Sequence, residues 1–208
     1  MQDAIKIYKN SKSFDYVIML EMSEDKVDKV VKDQSIVQLF NQDQLVGLNI
    51  FDSSLFNDHK DGFIYPESKV LETLNTYLQN NGFDLSFVYN KADYLKVAKV
   101  LEVNKVKGSD NLTLCKVSVG DSEYSMICGA KNVKEGMKTI AALDNALLYD
   151  GSKISKGEVL GVFSDGMLCS LKELGLDPNQ KHSGIVELDQ DEVVGKSFFD
   201  VDWRKYNV

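Results

Sequence analysis

Two runs between Leu112 and Cys128 place apolar residues at every second position, and turn-forming residues separate them. Such alternation is the signature of half-buried β-strands. Leu112–Val119 puts Thr113, Cys115, Val117 and Val119 on one face. Gly120-Asp121-Ser122 turns the chain into Glu123–Cys128, which alternates through Tyr124, Met126 and Cys128. The run before them, Tyr94–Val106, changes phase partway. Leu95, Val97, Leu101 and Val103 share one parity, whereas Tyr94, Ala98, Val100 and Val106 share the other. A phase change predicts a bulge, or a strand bent to serve two surfaces. Thr139–Leu143, Val159–Phe163 and Ser183–Leu188 read as further strands, and Leu171–Leu174, stopped by Gly175, as a short helix. Five or more short strands led by a long bent one suit a small closed barrel, of OB or SH3-like type.

The first half reads differently. Phe14–Met22 is rich in β-branched and aromatic residues, and Asp43-Gln44 is placed to turn Ile36–Phe40 into Leu45–Phe51. Ser68–Asn80 carries Val70, Leu71, Leu74, Tyr77 and Leu78 on one helical face, with Pro66 before it and Gly82 beyond its end. Residues 1–90 are therefore expected to form a small α+β domain of unassigned role. A boundary fits at 83–93, leaving 91–208 as the barrel domain.

Charge and cysteine usage exclude several functions. The 208 residues carry 24 Lys+Arg against 32 Asp+Glu, a net charge of −8. A protein that coats nucleic acid at large is basic, because phosphate binding relies on Lys and Arg. The acidity is uneven, however. Residues 1–90 hold 8 basic and 14 acidic groups, 91–156 hold 11 and 8, and 157–208 hold 5 and 10. The middle is a basic island in which every positive charge is a Lys.

Cys115, Cys128 and Cys169 form no C-x-x-C pair, and only His59 and His182 are present, so no metal site or cofactor is expected. The pattern predicts free thiols in a reducing, cytoplasmic compartment. No signal peptide or 20-residue apolar span is apparent. Gly157-Glu-Val-Leu-Gly161 lacks the Lys-Ser/Thr of a P-loop. Cys128 or Cys169 with His182 imitates a nucleophile pair, but Cys beside Ile127 or Leu168 reads as a buried, inert thiol. No enzyme activity is expected.

Two segments carry more. Ile127-Cys-Gly-Ala-Lys-Asn-Val133 with Lys134-Glu-Gly136, and Gly161-Val-Phe-Ser-Asp-Gly-Met-Leu-Cys-Ser170 with Lys172-Glu-Leu-Gly-Leu176, resemble the tRNA-binding OB-fold domain. That domain occurs in the bacterial phenylalanyl-tRNA synthetase β-subunit, in appendices of other synthetases and in free-standing proteins. The resemblance runs from about Val97 to Leu176. With a separate N-terminal unit and no synthetase catalytic parts, the chain is similar to the free-standing YtpR-type family. It departs from the pattern at turns: Val106-Lys107 stands where His-Pro is common, Asp144-Asn145 for Pro-Gly, and Tyr149 for a later Pro.

The resemblance implies an all-β OB-fold, a five-stranded barrel with a short helix, that binds tRNA without catalysis. Asn132 offers an amide to a base edge or phosphate; its bland alternative is to cap a turn. Ser164 and Met167 would line a pocket with it, although Met167 also fits a core strand end. Lys99, Lys105, Lys107, Lys131, Lys134, Lys138 and Lys172 would supply phosphate contacts, although scattered lysines are commonly a solvated surface. Tyr124 and Tyr149 are the stacking candidates. The expected outcome is recognition of tRNA shape through its backbone. The alternative is a chaperone-like module binding a peptide or protein partner in the same pocket, motivated by the acidity and the Met. Homodimerisation is expected from free-standing relatives. Phe198–Trp203 either seals the barrel or reaches a partner, and sealing is the simpler role.

Overall fold

The computed structural model describes residues 5–12, 16–89, 94–177 and 183–206. Phe14, His182 and the end of the expected boundary at 90–93 lie outside these. The chain divides into two compact units, 1–89 and 90–208.

The first unit is a six-stranded antiparallel sheet with one helix, so the expected α+β unit is predominantly β. Its strands are β1 (Lys6–Asn10), β2 (Val17–Glu21), β3 (Lys29–Asp33), β4 (Ile36–Asn41), β5 (Gln44–Ile50) and β6 (Gly62–Ile64), in the order β3-β4-β5-β2-β1-β6. Ile7, Ile18, Leu20, Leu48 and Ile50 are buried. The β4–β5 turn falls on Gln42-Asp43, one residue earlier than expected, with Gln42 at φ 55°. Helix α1 (Ser68–Asn80) has the expected bounds and buries Val70, Leu71, Leu74 and Leu78. It ends where Gly82 takes φ 82° and the Phe83 N–H reaches back to Leu78 O (3.0 Å). Three strands have no counterpart in the sequence pattern: β6 is only three residues long, and the other two have physical reasons. β3 is exposed along its whole length, and β1 buries Lys9, which donates to three carbonyls between Phe56 and His59.

The second unit is a nearly closed barrel. Its strands are β7 (Leu95–Lys105), β8 (Thr113–Ser118), β9 (Glu123–Cys128), β10 (Lys138–Leu143), β11 (Gly157–Val159), β12 (Val162–Ser164) and β13 (Gly166–Leu168). The five-stranded ladder runs β13-β10-β7-β8-β9, an order that an OB-like barrel fits. Closure comes from the β12–β13 corner, where Asp165 N donates to Ser125 O, Ser125 N to Asp165 Oδ2 (both 2.8 Å) and Ile127 N to Ser164 Oγ (3.0 Å).

The phase change in β7 has both predicted consequences. Its pairing with β8 shifts between Val100 and Glu102. Ala98 and Val100 face an interior core with Cys115, Val117, Met126, Ala141 and Leu168. Leu95 and Val97 join a second core with Ile140, Ala142, Val186, Leu188, Phe198 and Val201. Two buried faces explain why the strand alternates poorly. Phe198 is buried in this second core and Trp203 packs on it, its Nε1 donating to Phe198 O (3.1 Å), so the segment docks on the barrel's second core.

Three local readings change. Val159–Phe163 is not one strand: Leu160 and Gly161 both take positive φ (50° and 75°) and make a tight turn between β11 and β12. Ser183–Leu188 forms only an isolated bridge from Leu188 to Lys138. Leu171–Leu174 is a turn, closed by Leu174 N to Ser170 O (3.2 Å), and not a helix.

Candidate nucleic-acid interface

β7, β8 and β9 have ends at one rim of the barrel, because Lys105 pairs with Thr113 and Thr113 with Cys128. The loops leaving those ends are therefore neighbours. Val106 N donates to Leu112 O (3.1 Å), closing the 107–111 loop. A Cβ at Gly129 would lie 3.4 Å from the Leu112 side chain, so the turn after β9 rests on that loop. Lys105, Lys107 and Lys131 are exposed on these segments and have no hydrogen bond or ion pair among the described residues.

The other lysines are placed differently. Lys99 is exposed but faces Lys138 across the β7–β10 ladder, six residues before Lys105 and so roughly 20 Å along the strand. Lys138 donates to Gln190 O and Glu192 O, both at 2.6 Å. Lys134 pairs with Glu187 at 2.7 Å. Lys172 is exposed on the 170–175 turn. Asp150 has a lowered pKa, chiefly because Ser152 donates to it, with a smaller contribution from the Lys172 charge. The seven lysines do not make one patch. Three share a rim, and two are consumed by partners more than fifty residues away, a separation that no local pattern reveals.

Asn132 is likewise committed. Its Nδ2 donates to Ile185 O (2.8 Å) and its Oδ1 accepts from Ile185 N (3.1 Å), so the amide clamps the loop after β9 to a distant segment. Gly184 must lack a side chain for this: its φ is 85°, and a Cβ would sit 2.3 Å from Asn132 Oδ1. Ser164 is buried, donates to Gly166 O (2.8 Å) and accepts from Ile127 N, which spends its hydroxyl on closing the barrel. Only Met167 of the three lines a cavity. That cavity, of about 270 Å³, is walled by Cys128, Gly129, Ala130, Met167, Ser170 and Glu173 among others. Glu173 accepts from Ser170 N and Oγ at 2.6 Å, and this carboxylate makes the cavity unsuited to a phosphate. Of the three residues expected to line one pocket, Met167 borders this cavity, whereas the Asn132 and Ser164 side chains are spent on bonds within the fold.

Tyr124 packs on the interior core, whereas Tyr149 is exposed and lies over Gly175, where a Cβ would meet its ring at 2.5 Å. Phe163, about half exposed on β12, is a further exposed aromatic that the reading of Val159–Phe163 as a single strand did not single out. Lys116 is paired with Glu123 at 2.8 Å, and that contact raises its pKa. No group of His, Cys, Asp and Glu among the described residues could hold a metal ion, and no described helix is long and apolar enough to cross a membrane.

Residues 95–197 match the family profile described as "Putative tRNA binding domain". The chain is 32% identical over 170 residues to the Bacillus subtilis "Putative tRNA-binding protein YtpR", covering 80% of this chain and 85% of that one. It is 35% identical over 166 residues to an uncharacterised protein of Mycoplasma genitalium, covering 76% and 70% respectively. It is also 40% identical over 113 residues to the phenylalanine–tRNA ligase β-subunit of Desulfotalea psychrophila, matching 54% of this chain but only 14% of that subunit. The family profile over residues 95–197 and the likeness over four fifths of the chain agree: the chain belongs to the YtpR family of proteins that carry a tRNA-binding domain.

Proposed function

We propose that residues 91–208 form an OB-fold domain that binds tRNA through its phosphates and performs no chemistry on it. The contact surface is the rim carrying Lys105, Lys107 and Lys131, with Lys172 and Lys99 as outlying charges and Tyr149 as the exposed stacking aromatic. The carrying observation is the convergence of three unpaired lysines on the loops that leave β7 and β9, within the segment matching the family profile. OB barrels bind nucleic acid with the strand 2–3 face and adjoining loops. The rest of the strand 2–3 face is poorly suited to this, because Lys116 is neutralised by Glu123. The acidic flanks confine binding to a small surface, which favours a defined tRNA shape over indiscriminate coating.

Filter binding of purified tRNA at several salt concentrations tests this reading. About three phosphate contacts predict a log–log slope near −2 to −3, a loss of roughly 15- to 60-fold between 50 and 200 mM salt. Absence of binding at low salt, or affinity indifferent to salt, contradicts it.

A further inference from the structure

Cys115 and Cys128 lie diagonally across the β8–β9 ladder, where Thr113 pairs with Cys128 and Cys115 with Met126. Their side chains lie on the same face of the sheet, and the two thiols perturb one another's pKa. The Ala130 N–H points at Cys128 Sγ from 3.4 Å, and Thr113 Oγ1 lies 3.7 Å from Cys115 Sγ. A cysteine that only fills core volume needs none of these contacts. Cys128 also forms part of the wall of the 270 Å³ cavity, where Cys115 does not reach. Of the two cysteines, Cys128 therefore borders the cavity and Cys115 lies beside it on the neighbouring strand.

The cavity-side sulfur is also the more acidic. Hydrogen bonding from Cys115, aided by the Ala130 N–H, brings the Cys128 thiol down to about 7 against the opposing effect of burial. The same thiol–thiol contact and burial push Cys115 well up. Glu173, which also lines the cavity, opposes ionisation of Cys128. Cys169 is fully buried in the other core and raised by desolvation. One thiol of three combines access with thiolate character.

We propose that Cys128 is a site of oxidation by small peroxides and that Cys115 is its resolving partner. The Cys128 thiolate attacks one peroxide oxygen and the O–O bond breaks. Hydroxide leaves, and the sulfur, having given up two electrons, becomes a sulfenic acid. The Cys115 sulfur then attacks Cys128 Sγ, and the hydroxyl group departs with the Cys115 proton as water. Two thiols and one hydrogen peroxide give one disulfide and two waters. Diagonal neighbours on an antiparallel pair stand about 7–8 Å apart at Cα, beyond the usual disulfide span of about 4.4–6.8 Å. Closure must therefore draw the two strands together, pulling Cys128, the last residue of β9, toward β8 against the Asn132 clamp on the following loop. The Gly129–Lys131 turn moves with it. If that turn holds RNA as proposed above, the disulfide costs the Lys131 contact, about 5-fold in affinity.

The test treats the full chain with hydrogen peroxide and maps its peptides without reduction. The expected product is a Cys115–Cys128 link formed while Cys169 stays a thiol. Cys128→Ser should abolish the link, and Cys115→Ser should leave a sulfenic acid on Cys128 that dimedone traps. Oxidation of Cys169 as fast as Cys128, or a wild-type map with neither link nor dimedone adduct, overturns the proposal without recourse to variants that fail to fold. tRNA affinity is read separately, before and after oxidation. A linked protein with unchanged affinity refutes the coupling, whereas reduced protein that binds no tRNA refutes the functional reading and leaves the thiol chemistry standing.

Discussion

Replacing Lys105, Lys107 and Lys131 together by Ala should weaken tRNA binding about 100-fold at 0.1 M salt. Each lysine that neutralises a phosphate releases most of one condensed counterion, worth about 5-fold at that concentration. The salt slope should fall by about 2 in the same titration, because the contacts that remain are few. Stability should barely change, since all three side chains are exposed and unpaired among the described residues, and such substitutions usually stay within about 0.5 kcal/mol. Lys138→Ala should behave in the opposite way. It removes a donor to two backbone carbonyls and should cost stability while leaving the salt slope unaltered. Retained affinity in the triple variant would place the RNA elsewhere on the chain.

Gly166→Ala should destabilise the barrel unit by about 3 kcal/mol, the upper end for overpacking a core, and lower its midpoint of thermal unfolding by roughly 10 °C. A Cβ at this position would lie 2.2 Å from Ala142 O and 3.3 Å from Leu143 Cα. Neither atom can retreat. β10 is held on its other side by β7, and Ala141 and Ala142 are fully buried. The Gly166 carbonyl also accepts from Ser164, so a shift of β13 would disturb the corner that closes the barrel. Gly157→Ala is the control: its Cβ meets nothing within 4 Å, and the midpoint of thermal unfolding should stay put. Equal midpoints for the two variants, measured by circular dichroism, would contradict this account of closure.

These residues show where local pattern suffices and where it fails. The helix 68–80, the strand 123–128 and the bent β7 were legible because each is set by periodicity and a few caps within one segment. β13 is three residues long, too short for a period, and it is a barrel strand only because β10 lies beside it. The β11–β12 hairpin was hidden because Leu160, a poor turn former, takes a left-handed conformation in an apolar run. The site divides in the same way. Lys105, Lys107 and Lys131 were legible as charges, since exposed lysines need nothing but solvent. Asn132 and Ser164 read as binding groups because their partners, Ile185 and Ile127, are 53 and 37 residues away. Motif likeness singles out segments, but within them it could not separate side chains that build the barrel from those exposed to solvent.

Amide hydrogen exchange of the full chain, with and without purified tRNA at low salt, tests the central claim most directly. The account predicts slowed exchange at 105–112 and 129–133, on the two loops that share the lysine rim, with residues 5–89 unchanged. Slowing confined to the first unit, or centred on Lys99 and Lys138 with both loops unaffected, would contradict it.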